Sequence, residues 1–148
     1  MSARVLWFGD KFRRDLEAEE RRRLERASMV VEREAKRLLS VSGTGVKKRG
    51  VIVRAIKRTK KTIYGAFPSA PGEPPHKQTG RLRMSVTHEV LLWGLGRLIA
   101  RVGTNVPYGK FLQLGTRFVK PRPWLDVAMD RTLATVGKIL SAPWNWPG

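Results

Sequence analysis

Residues 10 to 40, DKFRRDLEAEERRRLERASMVVEREAKRLLS, contain neither glycine nor proline. A run of this length without a helix breaker, closed by the Ser- and Gly-rich SVSGTG, predicts one long helix with Asp10 as its N-cap after Gly9. Leu24, Ala27, Val31, Ala35 and Leu38 recur at three- and four-residue steps, which places them on one face. The EAEERRR segment before them offers Glu17 with Arg21 and Glu19 with Arg23 as i,i+4 pairs. The second half of the helix is therefore expected to pack, and the first half to project into solvent or toward a partner.

Nothing after residue 40 continues that pattern. KKRGVIVRAIKRTKKTIYG holds Lys47, Lys48, Arg49, Arg54, Lys57, Arg58, Lys60 and Lys61 with no acid among them, and Val51, Val53 and Ala55 alternate as a short strand would. A basic hairpin arm or loop is expected there, leading into AFPSAPGEPPHKQ, whose four prolines demand an extended loop. From Leu82 the period becomes two. Met84, Val86, His88, Val90 and Leu92 share one face, Gly94-Leu95-Gly96 supplies a turn, and Leu98, Ala100 and Val102 alternate on the return. His88 on that face reads as a satisfied core histidine.

Tyr108, Phe111 and Leu112 stand at i, i+3 and i+4, which predicts one to two helical turns ended by Gly115 in the left-handed conformation. With Trp124 they have the spacing of core anchors. Pro123 then suits the first turn of a last helix whose inner stripe is Leu125, Ala128 or Met129, Leu133, Val136 and Leu140. The tail APWNWPG leaves Trp144 and Trp146 without an element to cover them. The sum is an α+β fold in one domain over residues 1–148. It has a long N-terminal helix, a small antiparallel β-sheet built on a hairpin, and a short helix and C-terminal helix packed on the sheet. A basic arm or loop spans about 43–80, and the Trp-containing tail spans 141–148. A chain of this length can bury roughly 70% of its unfolded surface.

Charge and composition narrow the function. Residues 1 to 40 hold 11 Lys and Arg against 8 Asp and Glu, whereas residues 41 to 148 hold 19 against 4, so +15 of the net +18 lies in the later part. Such a field attracts polyanions: nucleic acid, or acidic neighbours in an assembly. With no cysteine there is neither a disulfide nor a thiolate ligand. No apolar run approaches the ~20 residues of a membrane helix, and the Val5 to Phe8 run is too short for a signal-peptide core. The expectation is a soluble chain made in the cytoplasm, with no membrane partner.

Two histidines and four acids after residue 40 leave little from which to build an acid-base pair, a triad or a metal cage. His88 and Glu89 point to opposite faces of a strand, and His76 has only Glu73 nearby. GTG at 43 to 45, followed by Lys47 and Lys48, lacks the Walker spacing, and GLG at 94 to 96 is a hairpin turn. The sequence points to a non-enzymatic protein without catalytic, cofactor or metal residues.

SAPGEPPHKQTGRLRMSV at 69 to 86, a hairpin, VGTNVPYGKFLQLGT at 102 to 116 and PRPWLDVAMD at 121 to 130 come in an order and spacing that resemble the head-tail joining or tail-completion proteins of long-tailed bacteriophages. In that family a Pro-rich segment leads to a TGxLRxS-like motif, a hairpin follows, and a YxxxxExGT-like motif precedes a proline and a C-terminal helix. Two departures stand out: Gln113 occupies the usual Glu position, and the arm at 46 to 64 is longer. The resemblance implies a structural virion protein of the neck, made in the host cytoplasm. Its copies would form a closed, six-fold ring between the head connector or adaptor and the tail terminator or tail tube, with genomic DNA passing through the channel. Gln113, Gly115, Thr116, Arg117, Arg122, Trp144 and Trp146 are then the candidate subunit and partner contacts, and the eight cations of the arm the candidate DNA or polyanion contacts. The alternative reading is a free-standing nucleic-acid-binding protein whose 46–64 arm tracks phosphate while Tyr64 or Phe67 stacks on bases.

Overall fold

The computed structural model describes residues 9–40, 69–75, 80–93 and 96–144. The eight arm cations from Lys47 to Lys61, Tyr64, Phe67, His76, the turn residues Gly94 and Leu95, and Trp146 lie outside the described residues.

Mixed helix and sheet are present as the pattern predicts. In chain order the elements are α1 (Gly9–Leu38), α2 (Arg81–Ser85), β1 (Val86–Trp93), β2 (Arg97–Thr104), α3 (Pro107–Leu114) and α4 (Leu125–Leu140). The strands form a two-stranded antiparallel sheet in which His88 faces Val102, Val90 faces Ala100 and Leu92 faces Leu98. Two strands alone are marginal in water. Here α1 supplies what they lack, because its packed half contacts both strands on one side and α4 on another. The expected seat of the C-terminal helix was the sheet, but its main contact is α1.

The division of α1 into a packed half and a projecting half holds. Ala27, Val31, Ala35 and Leu38 are buried, while nothing from Gly9 to Arg22 is fully buried. Glu19 and Arg23 form their expected pair at 3.1 Å, and Glu19 also meets Arg22 at 3.2 Å, whereas Glu17 and Arg21 form none. Asp10 is not a cap, because the helix already includes Gly9. It sits in the first turn and pairs with Arg13 at 3.2 Å.

Ala35, Val86 and Ala128 are fully enclosed where α1, β1 and α4 converge, and Leu38, Leu39, Leu82, Val106 and Trp124 complete the core. Small residues at two of those three points let α1 and α4 approach closely. Trp124 is the largest fully buried side chain. Aromatic burial on that scale, some 150–250 Å² at about 25 cal/mol per Å², stabilises the fold by several kcal/mol.

Several expectations fail for identifiable reasons. Leu82 and Met84 are not in the strand. Gly80, at φ 79°, turns the chain into α2, where Ser85 Oγ donates to the Leu82 carbonyl, so Leu82 enters the core and Met84 faces solvent. The Pro-rich loop is not extended throughout. Ala70, Pro71, Gly72 and Glu73 make a turn closed by Glu73 N–H on the Ala70 carbonyl at 3.1 Å, with Gly72 at φ 86° where a type II turn needs it. On α4 the buried positions are Ala128 and Thr132, with Leu125, Val136 and Ile139 half-buried, while Met129, Leu133 and Leu140 are exposed. Thr132 can be buried because its hydroxyl donates to the Ala128 carbonyl at 2.8 Å, a bond that sequence periodicity does not register.

Candidate functional site

The stretch from Val106 to Leu125 forms a corner between β2 and α4, and backbone chemistry fixes its shape. Pro107 starts α3 without losing a needed donor, and the Val106 N–H donates to Thr104 Oγ1 at 3.1 Å. The next residue but one, Gly109, is buried. A Cβ there would come within 2.7 Å of Thr104 Cγ2 and 3.1 Å of Leu82 Cδ1, so α3 lies closer to its neighbours than any side chain permits.

That approach decides which residues face outward. Leu112 packs on the core, but Tyr108, Phe111 and Leu114, at three-residue steps, are exposed. Tyr108 and Phe111 are therefore not the core anchors their spacing suggested. Gly109 fills the inner position, and a short helix has room to bury only one narrow side.

Past α3 the chain folds back on itself. Gly115, at φ 77° and ψ 178°, donates its N–H to the Phe111 carbonyl at 2.9 Å: the stop falls at the expected glycine and at positive φ, but its extended ψ is not that of the left-handed helical conformation. The Thr116 N–H donates to the Val119 carbonyl at 2.8 Å, and Thr116 Oγ1 accepts from the Val119 N–H at 3.1 Å. Two further bonds tie this loop down: Arg122 N–H to the Leu112 carbonyl at 2.8 Å and Gly72 N–H to the Pro121 carbonyl at 3.1 Å. The side-chain carbonyl of Gln113 meanwhile accepts from the N–H groups of Trp124 and Leu125, the donors that open α4.

A rigid base thus presents an apolar and cationic outer surface. Phe118 at its tip is 85% exposed, with the Arg117 guanidinium 4.8 Å from its ring centroid. Beside it are Val119 and Leu114, with Phe111, Lys110 and Lys120 also exposed. An exposed apolar group of this kind on a fixed frame is the usual mark of a contact surface.

Of the residues singled out from sequence, Gln113, Gly115, Thr116, Arg117 and Arg122 come together in this corner. Gln113, Gly115 and Thr116 are engaged in holding it, and Arg117 faces outward. Trp144 lies at the other end of α4, ~24 Å away along a 16-residue helix at 1.5 Å per residue. It is not without a cover: Arg23 places its guanidinium 4.6 Å from the Trp144 ring centroid.

Sequence spacing predicts Arg23 only as the partner of Glu19 and misses its reach to the end of α4. It is buried, and its guanidinium donates to the carbonyls of Ala142 at 2.5 Å, Pro143 at 3.0 Å and Leu140 at 3.4 Å, while Nε bonds Glu19. One planar fork therefore satisfies the C-terminal end of α4 and pins the chain that follows it. The signal was available: Arg23 stands four residues before Ala27 on the buried stripe.

His88 is satisfied, as its place on the inner face suggested. Its Nδ1 is hydrogen-bonded to Glu32 Oε2 on α1, and Lys36 donates to the other Glu32 oxygen. Burial raises the Glu32 pKa, but the bonds from His88 and Lys36 outweigh it and hold the carboxyl below its ordinary value. No three His, Cys, Asp or Glu residues are grouped as a metal site among the described residues, and no described helix is long and apolar enough to cross a membrane.

The chain matches no family model, no curated protein and no solved structure.

Proposed function

We propose that this protein is a structural, non-enzymatic subunit of a bacteriophage neck, whose copies form a closed ring joining the head connector to the tail and leaving a passage for DNA. The observation that carries this reading is the outer surface of the corner: exposed Phe111 and Leu114 on α3, and exposed Phe118 and Val119 on a loop fixed by backbone hydrogen bonds. A monomer gains nothing from holding such a group rigidly in water, whereas a heterologous contact repeated around an axis buries it in every copy.

Further support comes from where the three motif segments of the resemblance meet. Ser85 of the first and Thr104 of the second share a hydroxyl hydrogen bond at 2.6 Å. Gln113 of the second caps the helix begun by the third, and Gly72 of the first bonds Pro121 of the third. Segments distant in sequence thus build one corner, as pieces of a single functional motif would.

The test is electron microscopy of the purified protein at high concentration, together with virions that carry it. Rings of uniform copy number and a band at the neck are the expected outcome. A chain that stays strictly monomeric and is absent from particles overturns the proposal.

A further inference from the structure

We infer that the cleft between the C-terminal half of α1 and the α2–β1 junction is a binding site for the sugar-phosphate backbone of nucleic acid. The cleft, of about 500 Å³, carries four Lys and Arg against Glu32 alone. Three of the cations are there because of helical spacing: Arg33, Lys36 and Arg37 follow one face of α1. Arg83 of α2 faces them from the other wall, and Ser40 stands at the rim.

The acid in the cleft offsets one of these charges, that of Lys36, while its other oxygen is bonded to His88 and joins α1 to β1, so the net positive charge rests on the arginines. Arg37 gives two donors to Glu34 at 2.6 and 2.7 Å but keeps its third nitrogen out of that pairing. Arg33 and Arg83 are exposed and stand in no ion pair among the described residues.

Size and spacing favour a chain of phosphates over a single small anion. Arg33 to Arg37 span ~6 Å of helix, a length over which one strand of a duplex presents about two phosphates when measured along the duplex axis. The volume is larger than one phosphate fills, and the cleft is open rather than closed around its contents. The molecule's +18 charge attracts a polyanion from a distance, and the sequence between Lys47 and Lys61 holds eight Lys and Arg with no acid among them. The inference does not depend on ring assembly: a cleft of this composition binds phosphate on an isolated chain.

The experiment uses the full chain and a fluorescently labelled DNA duplex of arbitrary sequence, with affinity followed from about 50 to 200 mM salt. One variant carries Arg33→Ala and Arg83→Ala. A second carries Arg26→Ala and Lys138→Ala, which removes the same charge outside the cleft. Each phosphate contact contributes about 0.9 to the log-log salt slope, so the cleft variant is expected to lose about 2 from it and the control pair well under 1. Equal slopes for the two variants, or no binding of DNA by the unmodified chain at low salt, overturn the inference. So does polyglutamate displacing the duplex at equal charge concentration, since the cleft would then be a site for acidic protein. If the alanine variant unfolds, Arg33→Gln with Arg83→Gln reports the same slope change with more of the side-chain stem retained.

Discussion

Gln113 and Trp124 are joined by a hydrogen bond of 2.9 Å from the Trp124 backbone N–H to the Gln113 side-chain oxygen, which also accepts from Leu125 N–H at 3.1 Å. No side chain of its own caps α4, so a residue from the preceding helix does so across the corner. The amide is an imperfect cap: Gln113 Nε2 is buried and has no hydrogen-bond partner among the described residues.

Replacing Gln113 by Ala therefore removes the acceptor for two helix-opening N–H groups. A loss of about 1–2 kcal/mol is expected, or some 3–6 °C in Tm for a chain of this size. Gln113→Glu should act the other way at neutral pH, because it keeps an oxygen acceptor for the two N–H groups and sets a negative charge against the positive end of the helix. Bonds to the charged form lower the folded pKa of such a carboxyl. The gain is thus present above the unfolded value and disappears as pH falls through the folded one. Thermal melts of the three proteins at pH 7 and pH 3 check both directions. A Glu variant less stable than the Ala variant at pH 7 contradicts the capping account.

Arg23 fixes the opposite end of α4. Arg23→Ala leaves three carbonyls without their donor and uncovers Trp144, and a loss of roughly 2–3 kcal/mol is expected from charge-assisted bonds in a buried setting. Arg23→Lys keeps the charge but not the planar fork, and should recover less than half of the loss. Urea unfolding measures the free energies. Full recovery by lysine would show that charge, not geometry, matters at this point.

Glu34 ties α1 to α4 through Arg131 at 3.3 Å while bonding Arg37 on its own helix. The Arg37 hydrogen bond lowers its pKa, burial opposes, and Arg131 lowers it further, so the carboxyl lies below its ordinary value of 4.5. Its contribution to stability is then complete above that value and is lost as pH falls through the lowered one. Glu34→Gln should be less stable than the natural chain at pH 7, and the difference in urea midpoint should close as pH falls below the ordinary carboxyl value and the natural carboxyl protonates. A gap independent of pH assigns the effect to packing instead.

Gly115 adopts a backbone conformation open essentially to glycine, and an added Cβ would lie 2.9 Å from Pro121 Cδ, Pro121 N and the Val119 carbonyl oxygen. Gly115→Ala is expected to cost about 1–3 kcal/mol and to loosen the turn that carries Phe118. Amide hydrogen exchange localises the effect. Faster exchange at Thr116 and Val119 with little change in the α1 core is the expected pattern.

What could be read from the sequence was whatever depends on local periodicity. The α1 run without Gly or Pro and the alternation ending at Val102 became elements, though the first strand begins at Val86 rather than near Leu82, and α3 stops at Gly115. Misreadings arose where a tertiary bond overrode a pattern. Thr132 took the inner position that Leu133 was expected to hold because its hydroxyl is satisfied within the helix, and Gly109 displaced Phe111 because α3 had to lie close to Thr104. The corner was legible as a place, since Gly115, Thr116 and Arg117 are adjacent in sequence. The engagement of Gln113 with Trp124, eleven residues away, was not, because no spacing rule connects a glutamine to the cap of the next helix.

The exposed tip of the corner separates assembly from stability. Phe118 is 85% exposed and its backbone N–H lies 3.3 Å from Thr116 Oγ1, a contact that survives any side-chain change at that position. Phe118→Asp should therefore alter unfolding free energy by no more than about 0.5 kcal/mol, as surface substitutions usually do. In an assembled ring the same aspartate would stand in a buried apolar contact, where an unpaired charge costs several kcal/mol. Light scattering across a concentration series should show the variant as a folded monomer under conditions where the natural chain forms rings. Trp124→Ala gives the contrasting result, because removing a buried aromatic costs about 3–5 kcal/mol and abolishes assembly only by destabilising the fold. If Phe118→Asp assembles as the natural chain does, the tip of the corner is not the contact between copies, and the apolar row of Met129 and Leu133 on α4 becomes the surface to alter next.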